Sequence, residues 1–227
     1  MQTRIYADFS ERVVIHTPDQ EWQTSPSAGV ERRPLDRIGG EKARATSVVR
    51  YAPGSRFEQH SHDGGEEILV LEGVFSDETG DYPAGTYIRN PPGSAHAPRS
   101  EAGAVIFVKL RQFQAADTER VVIDTRSAGW SRGLVPGLSV QPLHNFAGEG
   151  VALVHWQPDT VFQPHTHPGG EEIFVLDGVF RDEQGDYPKG TWLRNPPWSS
   201  HHPYTREEGA LIYVKTGHLA GEATVPA

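Results

Sequence analysis

Short apolar runs separated by turn residues recur along the chain and predict β-strands. Such runs occupy residues 45–51, 68–71, 104–109, 150–156 and 210–215. The run at 68–71 is too short for a stable helix and ends at Gly73, so it predicts a strand buried on both faces or nearly so. Turn-forming residues at 77–81 and 182–186 predict hairpins. Short strands with frequent turns and no helical periodicity predict an all-β sandwich or barrel.

The pattern occurs twice. At an offset of 105 residues, 27 of the 41 positions from His60 to Ser100 are identical in the stretch from His165 to Thr205. Farther upstream, residues 11–17 match residues 119–125 at an offset of 108. The repeat therefore predicts two tandem domains, at residues 1–112 and 113–227. Residues 1–10 precede the first copy and are expected to form a short arm or an exchanged strand.

Six of the eleven histidines fall on matching positions of the repeat and predict two metal sites. Strand alternation places His60 and His62 on one face, and a glycine turn can return Glu66 to that face. Imidazoles combined with a carboxylate suit transition metals rather than Mg²⁺ or Ca²⁺. The predicted ligands are His60, His62, Glu66 and His96 in the first copy, and His165, His167, Glu171 and His201 in the second.

Other side chains compete for roles at these sites. Glu67 and Glu172 are the alternative carboxylates, and they are expected to turn away from the histidines. The matched pair Arg89 and Arg194 either binds a substrate carboxylate or, the preferred reading, pairs with the turn carboxylates Asp81 and Asp186. Three further histidines are predicted to lie at the surface, namely His16, His144 and His218. Two more are considered beside the site: His202, which is expected to face away from the metal, and His155, which could line the barrel.

The motifs that carry this pattern resemble those of the cupins. Gly54, His60-x-His62, Glu66 and Gly73 have the spacing of the first cupin motif, and Gly85, Pro91-x-Gly93 and His96 have that of the second. The run from His62 to His96 is similar to the cupin-like domain of ChrR-type anti-sigma factors and related dioxygenases. The resemblance implies two tandem jelly-roll barrels, each with a metal such as Zn or Fe, with Mn or Ni as alternatives and up to two ions per chain.

Net charge and the lack of cysteine limit the classes of partner and the kinds of metal ligand. A net charge of -9 disfavours nucleic acid and anionic membranes, and the chain has no cysteine, so a metal must be held by histidine and carboxylate. The zinc domain of ChrR-type factors uses cysteine ligands, which argues against direct binding of a sigma factor. We expect a cytoplasmic protein with a small-molecule ligand, without an apolar leader or membrane segment. A homodimer is a further candidate assembly.

Three classes of function remain open at this level. The first is a metal-dependent dioxygenase acting on a small organic molecule. The second is a ChrR-like regulator of the oxidative stress response, and the third is a module that binds metal and a small molecule without turnover. Trp198 stands where the first copy has Gly93, three residues before the ligand histidine. We hypothesise that its indole leans inward and makes the second site the more closed of the two.

Overall fold

A computed structural model describes residues 3–40 and 42–221 and confirms the all-β prediction. These residues form two compact units. One comprises residues 3–7 and 20–128, and the other comprises residues 8–19 and 129–221. In the described part of the chain, the one helical element is a 3-10 turn at Thr17–Asp19. The same part contains no helix with the length and apolar character needed to cross a lipid bilayer.

The described residues form twenty-three strands, numbered along the chain, in the two units. The first fourteen are β1 (Arg4–Ile5), β2 (Val13–His16), β3 (Gln23–Thr24), β4 (Val30–Ile38), β5 (Arg44–Tyr51), β6 (Ser55–Arg56), β7 (His60–His62), β8 (Glu66–Asp77), β9 (Gly80–Pro83), β10 (Thr86–Asn90), β11 (Ser94–His96), β12 (Arg99–Ser100), β13 (Ala104–Leu110) and β14 (Val121–Asp124). The remainder are β15 (Ser131–Arg132), β16 (Leu138–Phe146), β17 (Glu149–Trp156), β18 (His165–His167), β19 (Glu171–Asp182), β20 (Gly185–Pro188), β21 (Thr191–Asn195), β22 (Ser199–His201) and β23 (Ala210–Thr216).

Each unit contains one large antiparallel sheet and one small two-stranded sheet. The large sheets have the orders β1-β4-β5-β13-β8-β10-β14 and β15-β16-β17-β23-β19-β21-β2, and the small ones pair β7 with β11 and β18 with β22. The predicted hairpins at 77–81 and 182–186 are confirmed as the β8–β9 and β19–β20 turns. The predicted buried strand is also confirmed, since Ile68, Leu69 and Val70 are all buried in β8.

The core of each unit lies on the inner face of these sheets. Alternation along β8 directs Ile68 and Val70 inward, where they pack with Ile88 of β10 and Ile106 of β13. The second unit repeats this arrangement with Ile173, Val175, Leu193 and Ile212. Glu66 precedes Ile68 by two residues on β8, and Glu171 precedes Ile173 likewise, so both carboxylates start on the inward face.

The opening strand of each repeat lies in the unit formed mainly by the other repeat. β14 pairs with β10, with Arg89 opposite Val121, and β2 pairs with β21, with Arg194 opposite Val13. The compact units therefore differ from the predicted ranges 1–112 and 113–227, because residues 8–19 and 113–128 pack with the opposite repeat. The arm ahead of the first repeat is not the exchanged element, since β1 pairs with β4 of its own repeat.

Candidate metal centres

The first centre forms where two short strands meet the start of β8. β7 and β11 pair with His60 opposite His96 and His62 opposite Ser94. The chain then turns through Gly65 at a φ of +75°, and a Cβ there would lie 2.4 Å from the Phe113 ring. Only glycine fits both conditions. This turn brings Glu66 back under the imidazoles, as the sequence predicts.

Three imidazoles and one carboxylate converge at the first centre. The Nε2 atoms of His62 and His96 lie 2.9 Å apart, and Glu66 Oε2 lies 3.4 Å and 3.3 Å from them. His60 completes the group, since one nitrogen from each of the three histidines lies within 4.8 Å of the others. Two atoms that bind one ion at about 2.1 Å and at right angles are about 3.0 Å apart. The residues present therefore fit a transition-metal ion.

The second centre has the same construction. His201 Nε2 lies 3.1 Å from His167 Nε2 and 3.2 Å from His165 Nε2. Glu171 approaches His167 to 3.3 Å and His201 to 3.5 Å. Each of the two groups of three histidines could hold a metal ion, and Glu66 and Glu171 remain the predicted fourth ligands.

Hydrogen bonds behind the rings hold the Nε2 atoms toward the centres. The Nδ1 atoms of His60 and His165 lie 2.9 Å and 3.0 Å from the carbonyl oxygens of Glu58 and Gln163. The Nδ1 of His96 lies within hydrogen-bond distance of Asp77, at 3.4 Å. The Nδ1 of His201 faces Asp182 at 3.8 Å, which is an ion-pair distance rather than a hydrogen bond. An N–H at Nδ1 that faces an oxygen leaves the lone pair at Nε2 free for a metal, which is the usual arrangement behind metal-binding histidines.

Burial shifts the pKa values of the same groups in ways that favour binding of a cation. Burial, with the neighbouring His60, lowers the pKa of His62 to about 4, and burial lowers that of His167 to about 3. These imidazoles are therefore neutral near pH 7. Burial also raises the pKa of Glu66 and of Glu171. Clustered lone pairs beside a desolvated carboxylate repel one another, and a bound metal cation would relieve that repulsion.

Glu67 and Glu172 point to the opposite face of the sheet. Glu67 pairs with Arg89 at 2.8 Å. Glu172 accepts a hydrogen bond from Trp192 Nε1 at 2.7 Å and lies 2.9 Å from His218 Nε2. Their contacts are thus remote from the histidine clusters, which supports the assignment of Glu66 and Glu171.

The arginine pair has neither of the expected roles. Arg89 is 1% exposed and lies between Glu67 and Asp117 on the face away from the metal, while Arg194 packs over the Phe9 ring. The turn carboxylates Asp81 and Asp186 pair instead with Arg99 and Arg181. The preferred reading was therefore wrong, because Arg89 shares the outward face of its strand with Glu67.

Trp198 does not close the second centre. Trp198 is 74% exposed, and its φ of +66° is close to the +86° of Gly93, so the loop follows the same left-handed course in both copies. The inward hypothesis was therefore wrong. Access to the second centre is not reduced, since His167 is slightly more exposed than His62.

The remaining histidines differ in exposure, and His16 is partly exposed. His202 is exposed and lies outside the second cluster, as predicted, whereas His155 is exposed beside Trp130 rather than lining the barrel. His144 and the His218 side chain are buried, which corrects their predicted surface position.

Sequence reasoning missed the residues that support the ligands. Asn90 donates a hydrogen bond to Glu66 at 3.2 Å, and Asn195 donates one to Glu171 at 3.0 Å. The sequence pattern predicts only turn positions for Asp77 and Asp182, yet they face His96 and His201. The available signal was their identity at matched positions of the repeat.

Comparison with solved structures identifies the fold. A candidate dioxygenase from Nostoc punctiforme aligns with a TM-score of 0.76 and 17% identity over 96% of this chain and 87% of that chain. YlbA from E. coli aligns with a TM-score of 0.70 and 15% identity over 93% of each chain. An oxalate decarboxylase from Lactobacillus farciminis aligns with a TM-score of 0.64 and 11% identity over 95% of this chain and 89% of that chain. No curated protein sequence gives a significant match.

The family comparison covers nearly the whole chain. The sequence model of the ChrR cupin-like domain matches residues 10–114 and again residues 118–220. Together with the antiparallel sheets and the structural relatives, these matches confirm two tandem cupin jelly-roll domains. The chain therefore belongs to the ChrR cupin-like family and carries two copies of its domain.

Proposed function

We propose that this protein is a metal-dependent dioxygenase that acts on a small organic molecule. The observation that carries the proposal is the convergence of three imidazole nitrogens and one carboxylate oxygen in each unit. Four ligands leave room in a six-coordinate shell for substrate and dioxygen. The structural likeness to a candidate dioxygenase adds support.

The chain would hold its metal beside an apolar wall. Bound iron(II) would supply the redox chemistry that activates dioxygen. In the first unit, Phe57 lies 5.8 Å from the His60 ring and Phe75 lies 6.1 Å from the His96 ring. In the second, Phe162 lies 4.9 Å from the His165 ring. We expect these rings to exclude water from one side of each centre, and we expect a small molecule to approach from the side of the partly exposed His60 and His165.

Metal identity decides between an oxygenase and a structural site. Zn and Fe accept the same ligands, with Mn and Ni as alternatives. Protein purified without added metal should therefore be analysed for metal content. Iron bound by the native protein supports the oxygenase, whereas tightly held zinc with a closed shell supports a binding module without turnover.

Nitric oxide provides the direct test of an open position on iron. The anaerobic protein loaded with iron(II) is exposed to nitric oxide, and the EPR spectrum is recorded. We expect the signal of a high-spin iron nitrosyl, reduced by about half in the His60→Ala variant and lost in a variant that also carries His165→Ala. Absence of the signal from iron-loaded parent protein would contradict the proposal.

A sensor is the second candidate, because both halves match the cupin-like domain of ChrR. Treatment of the metal-loaded protein with hydrogen peroxide, compared with assays of dioxygen consumption, distinguishes the two functions. A sensor should respond with a single stoichiometric change in its bound metal. A dioxygenase should consume dioxygen repeatedly once a substrate is found, and screening by oxygen electrode is the matching assay. We also propose that the protein is located in the cytoplasm.

A further inference from the structure

An arginine next to the exchanged strand lies directly behind the second metal centre. Arg12 immediately precedes β2 and is the repeat counterpart of Arg120. Its guanidinium donates from Nε to Asn195 Oδ1 at 2.9 Å, and from Nη2 to Asp182 Oδ2 at 3.3 Å and the Tyr187 hydroxyl at 2.6 Å. One side chain thus joins three partners on β19, β20 and β21.

Two of these partners contact the predicted metal ligands. Asn195 Nδ2 donates to Glu171 Oε2 at 3.0 Å, and Asp182 faces the Nδ1 of His201 at 3.8 Å. Arg12 is therefore one residue removed from both the carboxylate and an imidazole of the second centre. We propose that Arg12 is a positioning residue that orients Glu171 and His201 for metal binding.

The geometry of the amide gives the physical reason. Asn195 can present either its oxygen or its nitrogen to Glu171, and only the nitrogen donates a hydrogen bond to a carboxylate. By holding Oδ1 of the amide, Arg12 fixes Nδ2 toward Glu171. The same planar fork keeps Asp182 in place behind His201. A lysine is a single point donor on a flexible stem and cannot bind these acceptors at once.

The first centre has a weaker version of this support. Arg120 donates to Thr79 Oγ1 at 3.0 Å and to the Tyr82 hydroxyl at 3.2 Å. Thr79 in turn donates to Asp77 at 2.7 Å, so the hydroxyl stands between the arginine and the aspartate. Gln184 occupies the matching position in the second copy, where Arg12 reaches Asp182 directly. We therefore expect the two centres to differ in their dependence on the arginine.

The test isolates one centre at a time in the full-length chain. His60→Ala with His96→Ala leaves only the second centre, and His165→Ala with His201→Ala leaves only the first. Cobalt(II) is the probe, its dissociation constant being measured by competition with a chelator and its environment by visible absorption. In the first background Arg12→Gln should weaken cobalt binding about tenfold or more, the range seen for residues that support metal ligands.

Three comparisons make the result specific. Arg12→Lys should lose most of the affinity lost by Arg12→Gln, because charge alone does not restore the fork. Arg120→Gln, in the background that retains the first centre, should weaken cobalt binding less than about threefold. Phe9→Ala loosens the same segment, since Phe9 packs on Arg194, but it should leave the cobalt spectrum unchanged because it removes none of the three hydrogen bonds of Arg12.

Several outcomes would overturn the inference. Unchanged or tighter cobalt binding in Arg12→Gln would show that the guanidinium does not position the ligands. The same spectral change in Phe9→Ala would reduce Arg12 to an anchor of its strand. The inference rests on metal binding at the second centre but not on turnover. Failure of the single-centre parent to bind cobalt contradicts the metal centre and with it both proposals, whereas binding that is insensitive to Arg12 contradicts only this one.

Discussion

At the scale of single residues, two adjacent glutamates have opposite environments. Glu66 is desolvated beside His62 and His96, whereas Glu67 forms a buried ion pair with Arg89. Strand alternation is the cause, since neighbouring side chains on β8 project to opposite faces. In this dipeptide, Glu66 is thereby available as a metal ligand, whereas Glu67 stabilises the fold.

Exchanging each carboxylate for an amide should separate these roles. Glu66→Gln should weaken metal binding at the first centre at least about tenfold, because a charged ligand is lost. Glu67→Gln should leave that affinity nearly unchanged but lower the free energy of unfolding by about 3 kcal/mol, since Arg89 loses one of two buried partners. Metal titration and urea unfolding of both variants check this. Reversed results would transfer the ligand role to Glu67.

Trp198 combines an exposed indole with a left-handed backbone. We expect Trp198→Gly to leave azide binding to the second metal unchanged, because the side chain projects into solvent. Glycine should also raise the free energy of unfolding by up to about 1 kcal/mol, since relief of the positive φ outweighs the added freedom of the unfolded chain. The matched control is Gly93→Ala, which should destabilise by about 1 kcal/mol. Faster azide binding in Trp198→Gly would restore the occlusion hypothesis.

Acid should destabilise the metal-free protein partly through His62. Because its pKa is about 4 in the folded state and about 6.5 in the unfolded state, the unfolded state binds this proton more readily between those values. This contribution to stability is therefore lost as the pH falls from about 6.5 to about 4. Between pH 7.5 and 5 the parent should lose about 2 kcal/mol more than His62→Asn in urea unfolding. Equal losses would contradict the assigned pKa, and bound zinc should reduce the loss.

Residue patterns predicted the ligand groups but not their supports. HxH spacing and glycine turns follow local rules of strand geometry, so His60, His62 and Glu66 could be placed together from sequence. Asn195 and Arg12 meet through pairings between segments about 180 residues apart. No local periodicity encodes such a contact. The prediction that the Trp198 indole leans inward was wrong for a related reason. The direction of a loop side chain depends on backbone conformation, which residue spacing does not specify.

At the scale of elements, the sequence does not determine which receiving strand each opening strand pairs with. β2 pairs with β21 and β14 pairs with β10, and the two receiving strands read Thr-Trp-Leu-Arg and Thr-Tyr-Ile-Arg. Each opening strand could therefore pair equally well with the receiving strand of either repeat. Alignment of the repeats establishes that the strand exists but cannot select its partner.

Tryptophan emission can test where β2 docks. Four of the five tryptophans, including the buried Trp156 and Trp192, lie in the unit formed by residues 8–19 and 129–221. Ile15→Ala should lower the stability reported by this emission by about 2–3 kcal/mol, because a buried side chain of β2 is removed. The control is Ile123→Ala in β14, which should leave the same transition unchanged. Equal effects of the two variants would contradict the assigned exchange.

At the scale of the whole molecule, the repeat predicts two metals per chain. Both groups of histidines are assembled in the same way, so metal analysis after loading with zinc should give about two ions per chain. His96→Ala and His201→Ala should each give about one. Saturating zinc should raise the melting temperature, and this rise should be smaller in each variant, since a ligand that binds only the folded state stabilises it. One ion in the parent would show that one centre is disabled.

Exchange of the opening strands also sets an order of events on the ribosome. β2 leaves the exit tunnel well before its partner β21, which is translated about 180 residues later. At common elongation rates that interval lasts roughly 10–35 s. Throughout it, the apolar side chains of Val13 and Ile15 lack their native partner strand, while β10, the similar receiving strand of the first repeat, is already emerging. During this interval the growing chain therefore carries a strand without its native partner, and chaperone capture, pairing with β10 and pairing with a neighbouring chain all compete with native docking.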